Sequence, residues 1–251
     1  MTSTVQAAHR PRTSSHGGVV AVFSAAIGPA LCAALYAAGA CRGPVPMAVS
    51  LVLAALLYGS VRLTGRQATV CFALAGAVIL AMAAGVVPGF TRLAVGHLSI
   101  NSPKALAGLA ALAMFPSFWA WNRRCSFIAL ACLVGVPLLA LSVGWVRWAP
   151  AAPGTLLAFA VSNVFTVIAE EWFFRHWVQR PLARWSALAA VVVSAALFGL
   201  VHLGGGVVFA GLAAAAGLAY AGVYAASRGS IWAAVALHWV LNLLRIALFG
   251  L

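Results

Sequence analysis

Two glutamates, Glu170 and Glu171, stand side by side in the apolar stretch VIAEEWFFRHW, and they are the only acidic residues of the 251-residue chain. A charged group near the centre of a bilayer costs about 2.5–3.5 kcal/mol, so a carboxylate there needs a partner or a function. Arg175 follows Glu171 by four residues on the same helical face, and the two are expected to form an ion pair. Glu170 points about 100° away and has no such local partner. The spacing therefore predicts a structural Glu171–Arg175 pair and a functional Glu170.

Three further polar residues lie in apolar segments towards the carboxy terminus: His202 in FGLVH, and His238 with Asn242 in HWVLN. His238 and Asn242 are one helical turn apart, so their side chains can converge on one target. A carboxylate and an imidazole that face one water molecule can remove its proton. A second imidazole and a carboxamide can then donate hydrogen bonds to the oxyanion that forms on a peptide carbonyl. Together with Glu170, these residues are a sufficient set for amide hydrolysis.

The same residues allow other interpretations. A buried histidine often donates to a backbone carbonyl, and an asparagine in a membrane helix often bonds to a neighbouring helix. Glu170, His202 and His238 could ligate zinc, as in His₂Glu metallopeptidases, although the sequence contains no HExxH motif. They could also form a proton or ion relay in a transporter. A transporter of this kind typically has broken helices in two matching halves, and the sequence shows no internal repeat.

The composition is typical of a protein embedded in a lipid bilayer. Hydrophobic residues make up 65% of the chain and charged residues 7%, which leaves too little polar surface for a water-soluble protein of this length. The net charge of +13 does not indicate nucleic-acid binding, because the basic residues stand singly or in pairs between apolar runs. The five cysteines form no CxxC pair and no metal-binding pattern. We therefore expect a lipid bilayer, and no nucleic acid, around this chain.

Apolar stretches long enough to cross about 30 Å of hydrocarbon recur along the chain. They predict an all-α fold, a polytopic transmembrane helix bundle with eight or nine spans. The nine candidate spans are 18–40, 45–63, 69–90, 104–121, 126–146, 153–178, 186–203, 207–226 and 230–249. Two irregular stretches leave the count open by one: residues 88–103, which are expected to lie along the membrane interface, and the helix-breaking triplet Gly204–Gly206.

The chain divides into a polar cytoplasmic tail over 1–17, amino-terminal transmembrane helices over 18–150 and a catalytic helical core over 153–250. The apolar run after the tail is too long for a signal peptide, so it is expected to stay as the first helix. With the amino terminus in the cytoplasm, nine arginines of the tail and loops lie inside. The basic residues then expected in outside loops are Arg42, Arg92, Lys104 and Arg147. This positive-inside bias sets the expected orientation.

Three motifs in the core carry a resemblance to a known family. EEWFFR matches EExxxR, FGLVH matches FxxxH and HWVLN matches HxxxN, in that order. Residues 153–250 thereby resemble the CPBP family (CAAX proteases and bacteriocin-processing proteins, also called Abi proteins), which are glutamic intramembrane proteases. The resemblance implies an endopeptidase that cuts a membrane-anchored protein or peptide and needs no metal or other cofactor. The first five spans carry no motif, so the substrate is not implied.

The resemblance also implies a role for each motif residue. Glu170 is expected to be the catalytic base and to work with His202 on the attacking water. His238 and Asn242 are expected to line the oxyanion hole. The neighbouring glutamate–arginine pair is expected to hold the site together or to contact substrate. Some relatives act as membrane scaffolds or in bacteriocin immunity without demonstrated proteolysis, so a non-catalytic function of this kind stays as the alternative.

The arginine-rich and alanine-rich composition, with fourteen arginines against one lysine, is typical of a GC-rich bacterial genome. We therefore expect the protein in a bacterial cytoplasmic membrane, where a prenylated substrate is not expected, and a cut near the cytoplasmic leaflet or within the bilayer. Counted along their helices, Glu170 lies ~15 Å and His238 ~12 Å from the cytoplasmic ends, but His202 lies ~24 Å away. These unequal depths require tilted helices or a later start of the seventh span.

Overall fold

The computed structural model describes residues 15–250, with side-chain environments from Val20 onward. Within these residues, one helix lies in each predicted span: α1 Ser15–Ala37, α2 Val45–Arg62, α3 Gly65–Ala83, α4 Ser102–Met114, α5 Arg123–Ser142, α6 Pro153–Leu182, α7 Ala187–Leu200, α8 Val207–Ala226 and α9 Ile231–Phe249. Seven of these described helices are long and apolar enough to cross a membrane, and the two shorter apolar helices are α4 and α7. The prediction of an all-α polytopic bundle is confirmed.

The helices α3 and α4 end earlier than predicted. α3 ends at Ala83, and Gly85 just beyond it takes a left-handed conformation with φ +72° that stops the helix. α4 ends at Met114 because the next residue, Phe115, precedes a proline and adopts a non-helical conformation. Both apolar spans therefore contain a helix that is shorter than the apolar run itself.

The stretch 88–103, expected to be irregular, contains a β-hairpin. Strand β1, Arg92–Val95, pairs antiparallel with strand β2, Leu98–Asn101, and Gly96 at the turn has φ +56°, a conformation that glycine adopts readily. The backbone N–H of Ser99 donates to Oγ of Ser162 on α6 at 3.1 Å. The hairpin is therefore attached to the first half of α6.

Two other expectations concern the ends of segments. The glycine triplet does break the chain, because a 3₁₀ turn over Leu203–Gly205 separates α7 from α8 and Gly206 has φ +96°. Of the predicted polar tail, residues 1–14 lie outside the described residues, and residues 15–17 already belong to α1.

Helix α6 is the longest of the described helices and carries both glutamates. It is an α-helix over Pro153–Glu171, a π-helix over Trp172–Gln179 and a short α-helical turn over Arg180–Leu182. Helix α4 approaches its backbone closely at Gly108, where a Cβ atom would lie 2.9 Å from the backbone nitrogen of Ala169. The absence of a side chain at Gly108 therefore allows α4 to pack directly beside the glutamates.

Contacts between loops identify the two ends of the bundle. At the end called the hairpin end, the hairpin meets the start of α6, and the backbone N–H of Ala149 donates to the carbonyl of Leu248 at 3.1 Å. At the end called the opposite end, the side-chain amide of Asn122 donates to the carbonyl of Ala226 at 2.6 Å. Helices α5, α7 and α9 therefore end at the hairpin end, and α6 and α8 begin there.

Candidate active site

Glu170 forms an ion pair with a residue from another helix. Its Oε1 lies 2.6 Å from Nζ of Lys104, and the two side chains keep only 13% and 18% of their exposure. Lys104 was expected in an outside loop, but it lies in the first turn of α4, where Asn101 caps the helix by accepting from the Lys104 backbone N–H at 3.1 Å. The other oxygen of Glu170, Oε2, lies 3.9 Å from Nε2 of His238. Glu170 thus has no partner on its own helix, as the spacing indicated, but it has one on α4.

Glu171 and Arg175 form the ion pair expected from their spacing. Nε of Arg175 lies 2.7 Å from Oε2 of Glu171, and neither side chain is exposed. The same guanidinium donates to Oε1 of Gln179 at 2.7 Å and to Oγ of Ser194 at 3.1 Å. The π-helical turn that follows Glu171 therefore begins in a buried polar network that ties α6 to α7.

His238 is oriented by three neighbours. Its Nδ1 lies 2.8 Å from Oε1 of Glu171, its ring stacks on that of Tyr220 at 4.4 Å, and the ring of Phe198 meets it edge-on at 5.5 Å. Because an ionised carboxylate can only accept a hydrogen bond, Nδ1 of His238 carries a proton. The other nitrogen, Nε2, is thereby left to face Glu170.

His202 is fixed by the backbone of its own helix. It lies two residues beyond Leu200, the last residue of α7, and its Nδ1 is 2.7 Å from the carbonyl oxygen of Phe198. A carbonyl oxygen only accepts, so Nδ1 of His202 donates and Nε2 of the neutral ring is free to accept. This bond matches the structural interpretation of a buried histidine, and it also fixes the tautomer that a proton acceptor requires.

One cavity of about 270 Å³ brings these side chains together. Glu170, His202, His238 and Asn242 all line it. Nδ2 of Asn242 donates to Oδ1 of Asn163 on α6 at 3.1 Å, which holds the carboxamide in place. The four residues therefore meet in one cavity, although the sequence counted them at unequal depths.

A second cavity of about 670 Å³ adjoins the first towards the hairpin end. It lies between the hairpin and the first half of α6, and Phe159, Asn163 and Thr166 line both cavities. The hairpin contributes Arg92 and His97 to its wall. His97 had no expected role. The two cavities therefore adjoin each other along α6, between the hairpin and the four clustered residues.

Comparison with known protein families gives a match for this part of the chain. Residues 152–244 match a family model described as type II CAAX prenyl endopeptidase Rce1-like. The matched segment contains all three motifs, so the resemblance predicted from them is confirmed. Together with the seven long apolar helices, the match supports an integral membrane protein. Neither the curated proteins nor the solved structures that were compared give a match.

Three residues around the catalytic cavity were missed in the sequence. Lys104 is the only lysine of the chain, and that rarity was its one available signal. Asn163 precedes Glu170 by seven residues, so it lies on the same helical face, and its polar side chain on an apolar helix was a signal too. Tyr220 gave no signal, because a tyrosine in a membrane helix is common.

The zinc alternative needs Glu170, His202 and His238 as three ligands of one ion. Within residues 15–250, no group of three or more His, Cys, Asp or Glu side chains is arranged to hold a metal. Glu170 instead pairs with the ammonium group of Lys104, a cation that competes with a metal ion for this carboxylate. The geometry therefore does not fit a tetrahedral site built from these three residues.

Proposed function

We propose that this protein is an intramembrane endopeptidase that hydrolyses a peptide bond of a membrane-associated protein or peptide, using a water activated by Glu170 and His202. The observation that carries the proposal is the shared cavity, in which a carboxylate, two imidazoles and a carboxamide from three helices face one space. The match of residues 152–244 to the Rce1-like endopeptidase family supports the reaction class.

Glu170 is the proton acceptor in this mechanism. Lys104 holds its Oε1, so Oε2 remains for the water. His202 accepts a second hydrogen bond from that water through Nε2 and orients it. As the water oxygen attacks the carbonyl carbon, its proton passes to Glu170. Glu170 then gives this proton to the nitrogen of the leaving amine as the carbon–nitrogen bond breaks, and the carboxylate is restored.

His238 and Asn242 stabilise the negative charge that forms on the carbonyl oxygen. Asn242 donates through its amide, which Asn163 holds in place. His238 donates through Nε2–H in its imidazolium form, whose charge is balanced by Glu171 behind it. Donors that are fixed before the reaction and shielded from water stabilise an oxyanion strongly, because they need no reorganisation. Glu171 therefore has two roles: it orients His238 and balances its charge, and it pairs with Arg175 in the buried network.

Cleavage by purified protein in proteoliposomes tests the proposal. The membrane proteins of the host serve as substrate pool, and new amino termini are identified by mass spectrometry. Glu170→Gln keeps the shape and removes the base, so its products are expected to disappear. Arg124→Gln, at the opposite end of the bundle, is the control that keeps wild-type products. A chelator is expected to leave the products unchanged.

Two results would overturn the mechanism. Identical products from wild type and Glu170→Gln would mean that the carboxylate is structural, and the non-catalytic scaffold or immunity function would take its place. Loss of products on addition of chelator would restore the zinc alternative.

A further inference from the structure

Within residues 20–250, the catalytic cavity lies open towards the hairpin end. Towards the opposite end its floor is closed by large side chains of 3% exposure or less: Trp172, Phe174, Arg175 and Tyr220. Towards the hairpin end it adjoins the larger cavity beside β1 and β2. A substrate that enters by this route approaches from the side of the membrane on which the hairpin lies.

Basic residues are distributed unequally between the two ends. The loops and helix ends of the opposite end carry seven arginines: Arg62, Arg66, Arg123, Arg124, Arg180, Arg184 and Arg228. The loops and helix ends of the hairpin end carry four basic residues: Arg42, Arg92, Lys104 and Arg147. Lys104 pairs with Glu170, and Arg245, which lies further inside α9, lines the catalytic cavity.

Loops rich in arginine stay in the cytoplasm when a membrane protein inserts. The opposite end is therefore the cytoplasmic one. We propose that the catalytic cavity opens on the non-cytoplasmic face of the membrane, and that its substrates are extracytoplasmic segments of membrane-anchored proteins. The statement about substrates rests on the proposed function. The orientation of the cavity rests only on the fold and on the distribution of basic residues.

The depth of the site defines the substrate further. Asn242 and His238 lie seven and eleven residues from the last residue of α9, which places them ~10 and ~16 Å below the hairpin end. An extended chain advances about 3.3 Å per residue. About three to five residues of the substrate must therefore be extended to bring the scissile peptide bond to the site. The substrate is a protein with a flexible segment where its anchor meets the non-cytoplasmic surface, and not a protein cut at the cytoplasmic leaflet as the sequence suggested.

Site-directed cysteine labelling of the full chain in intact cells tests the orientation. Val95 in the hairpin and Trp185 at the opposite end are 57% and 83% exposed, and neither belongs to the proposed machinery. A membrane-impermeant maleimide is expected to label Val95→Cys in intact cells, and Trp185→Cys only after the membrane is permeabilised. The wild-type chain is the background control, because four of its five cysteines are buried.

A fusion at the carboxy terminus gives a second measurement that does not depend on cysteine reactivity. Helix α9 ends at the hairpin end, so alkaline phosphatase fused after the full chain is expected to be active and a green fluorescent protein in its place to be dark. Labelling of Val95→Cys only after permeabilisation, labelling of both variants in intact cells, or a fluorescent fusion would each overturn the proposal.

The two proposals fail independently. A catalytically dead Glu170→Gln variant together with a cytoplasmic hairpin would overturn the orientation and leave the hydrolysis intact. An active Glu170→Gln variant together with an external hairpin would overturn the hydrolysis and leave the orientation intact.

Discussion

The same isosteric substitution at two adjacent positions should have two different effects. Glu170→Gln is expected to abolish cleavage and to leave the fold stable. Glu171→Gln is expected to lower the free energy of unfolding severely. The contrast is a sharp test because both changes replace one carboxylate oxygen by an amide nitrogen on the same helix.

The magnitude follows from the burial of each pair. Glu171 and Arg175 are both completely buried, and removal of one partner of a buried ion pair costs about 3–5 kcal/mol, since the other charge stays without compensation. The Glu170–Lys104 pair keeps 13% and 18% exposure and borders a cavity, so water there can compensate part of the charge left on Lys104, and the cost of removing Glu170 should be smaller. Glu171→Gln should therefore be the less stable of the two variants.

Unfolding of the purified protein in mixed micelles measures this difference, with the nine tryptophans as the fluorescent probe. The double variant Glu171→Gln with Arg175→Met is the control, because it removes both charges and should recover much of the lost stability. If the two single glutamine variants unfold within about 1 kcal/mol of each other, the separation of a structural from a catalytic glutamate is wrong.

Other predictions concern the groups around Glu170. Lys104→Met should lower kcat by about tenfold or more, because the Glu170 carboxylate is no longer held in position. Lys104→Arg keeps the charge and should retain much of the activity. Equal kcat for Lys104→Met and wild type would refute this role. Asn242→Ala removes an oxyanion donor and should lower kcat by about 10²–10³-fold with little change in KM. Asn163→Ala leaves the donor in place but unanchored, so steady-state kinetics should show a smaller loss than for Asn242→Ala, and an equal or larger loss would contradict that order.

The helices and the Glu171–Arg175 pair were predictable because they depend on short-range patterns. Apolar runs of sufficient length predict the membrane-spanning helices, and a spacing of four residues on one helix predicts the ion pair. The Lys104–Glu170 pair depends on a contact across 66 positions, which becomes possible only where Gly108 lets α4 approach α6. No local pattern carries that information.

The unequal depths counted from the sequence have a related origin. Helix positions were counted from the cytoplasmic ends as if each helix were straight and independent. In the fold, His202 lies beyond the end of the short α7, and a cavity opening at the hairpin end connects it with residues in the middle of α6 and α9. The hairpin was also missed, although Gly96 between two short apolar strands is a typical turn signal.

The shortness of α7 has a consequence for the surrounding lipid. The helix has 14 residues and is ~21 Å long, against about 30 Å for the hydrocarbon of an ordinary bilayer. Leu188, Val192 and Leu200 on it are exposed and would contact acyl chains. A helix that is too short for its bilayer thins the membrane around itself. The site next to α7 would then lie under a locally depressed surface, and activity should increase when the protein is reconstituted in lipids with shorter acyl chains.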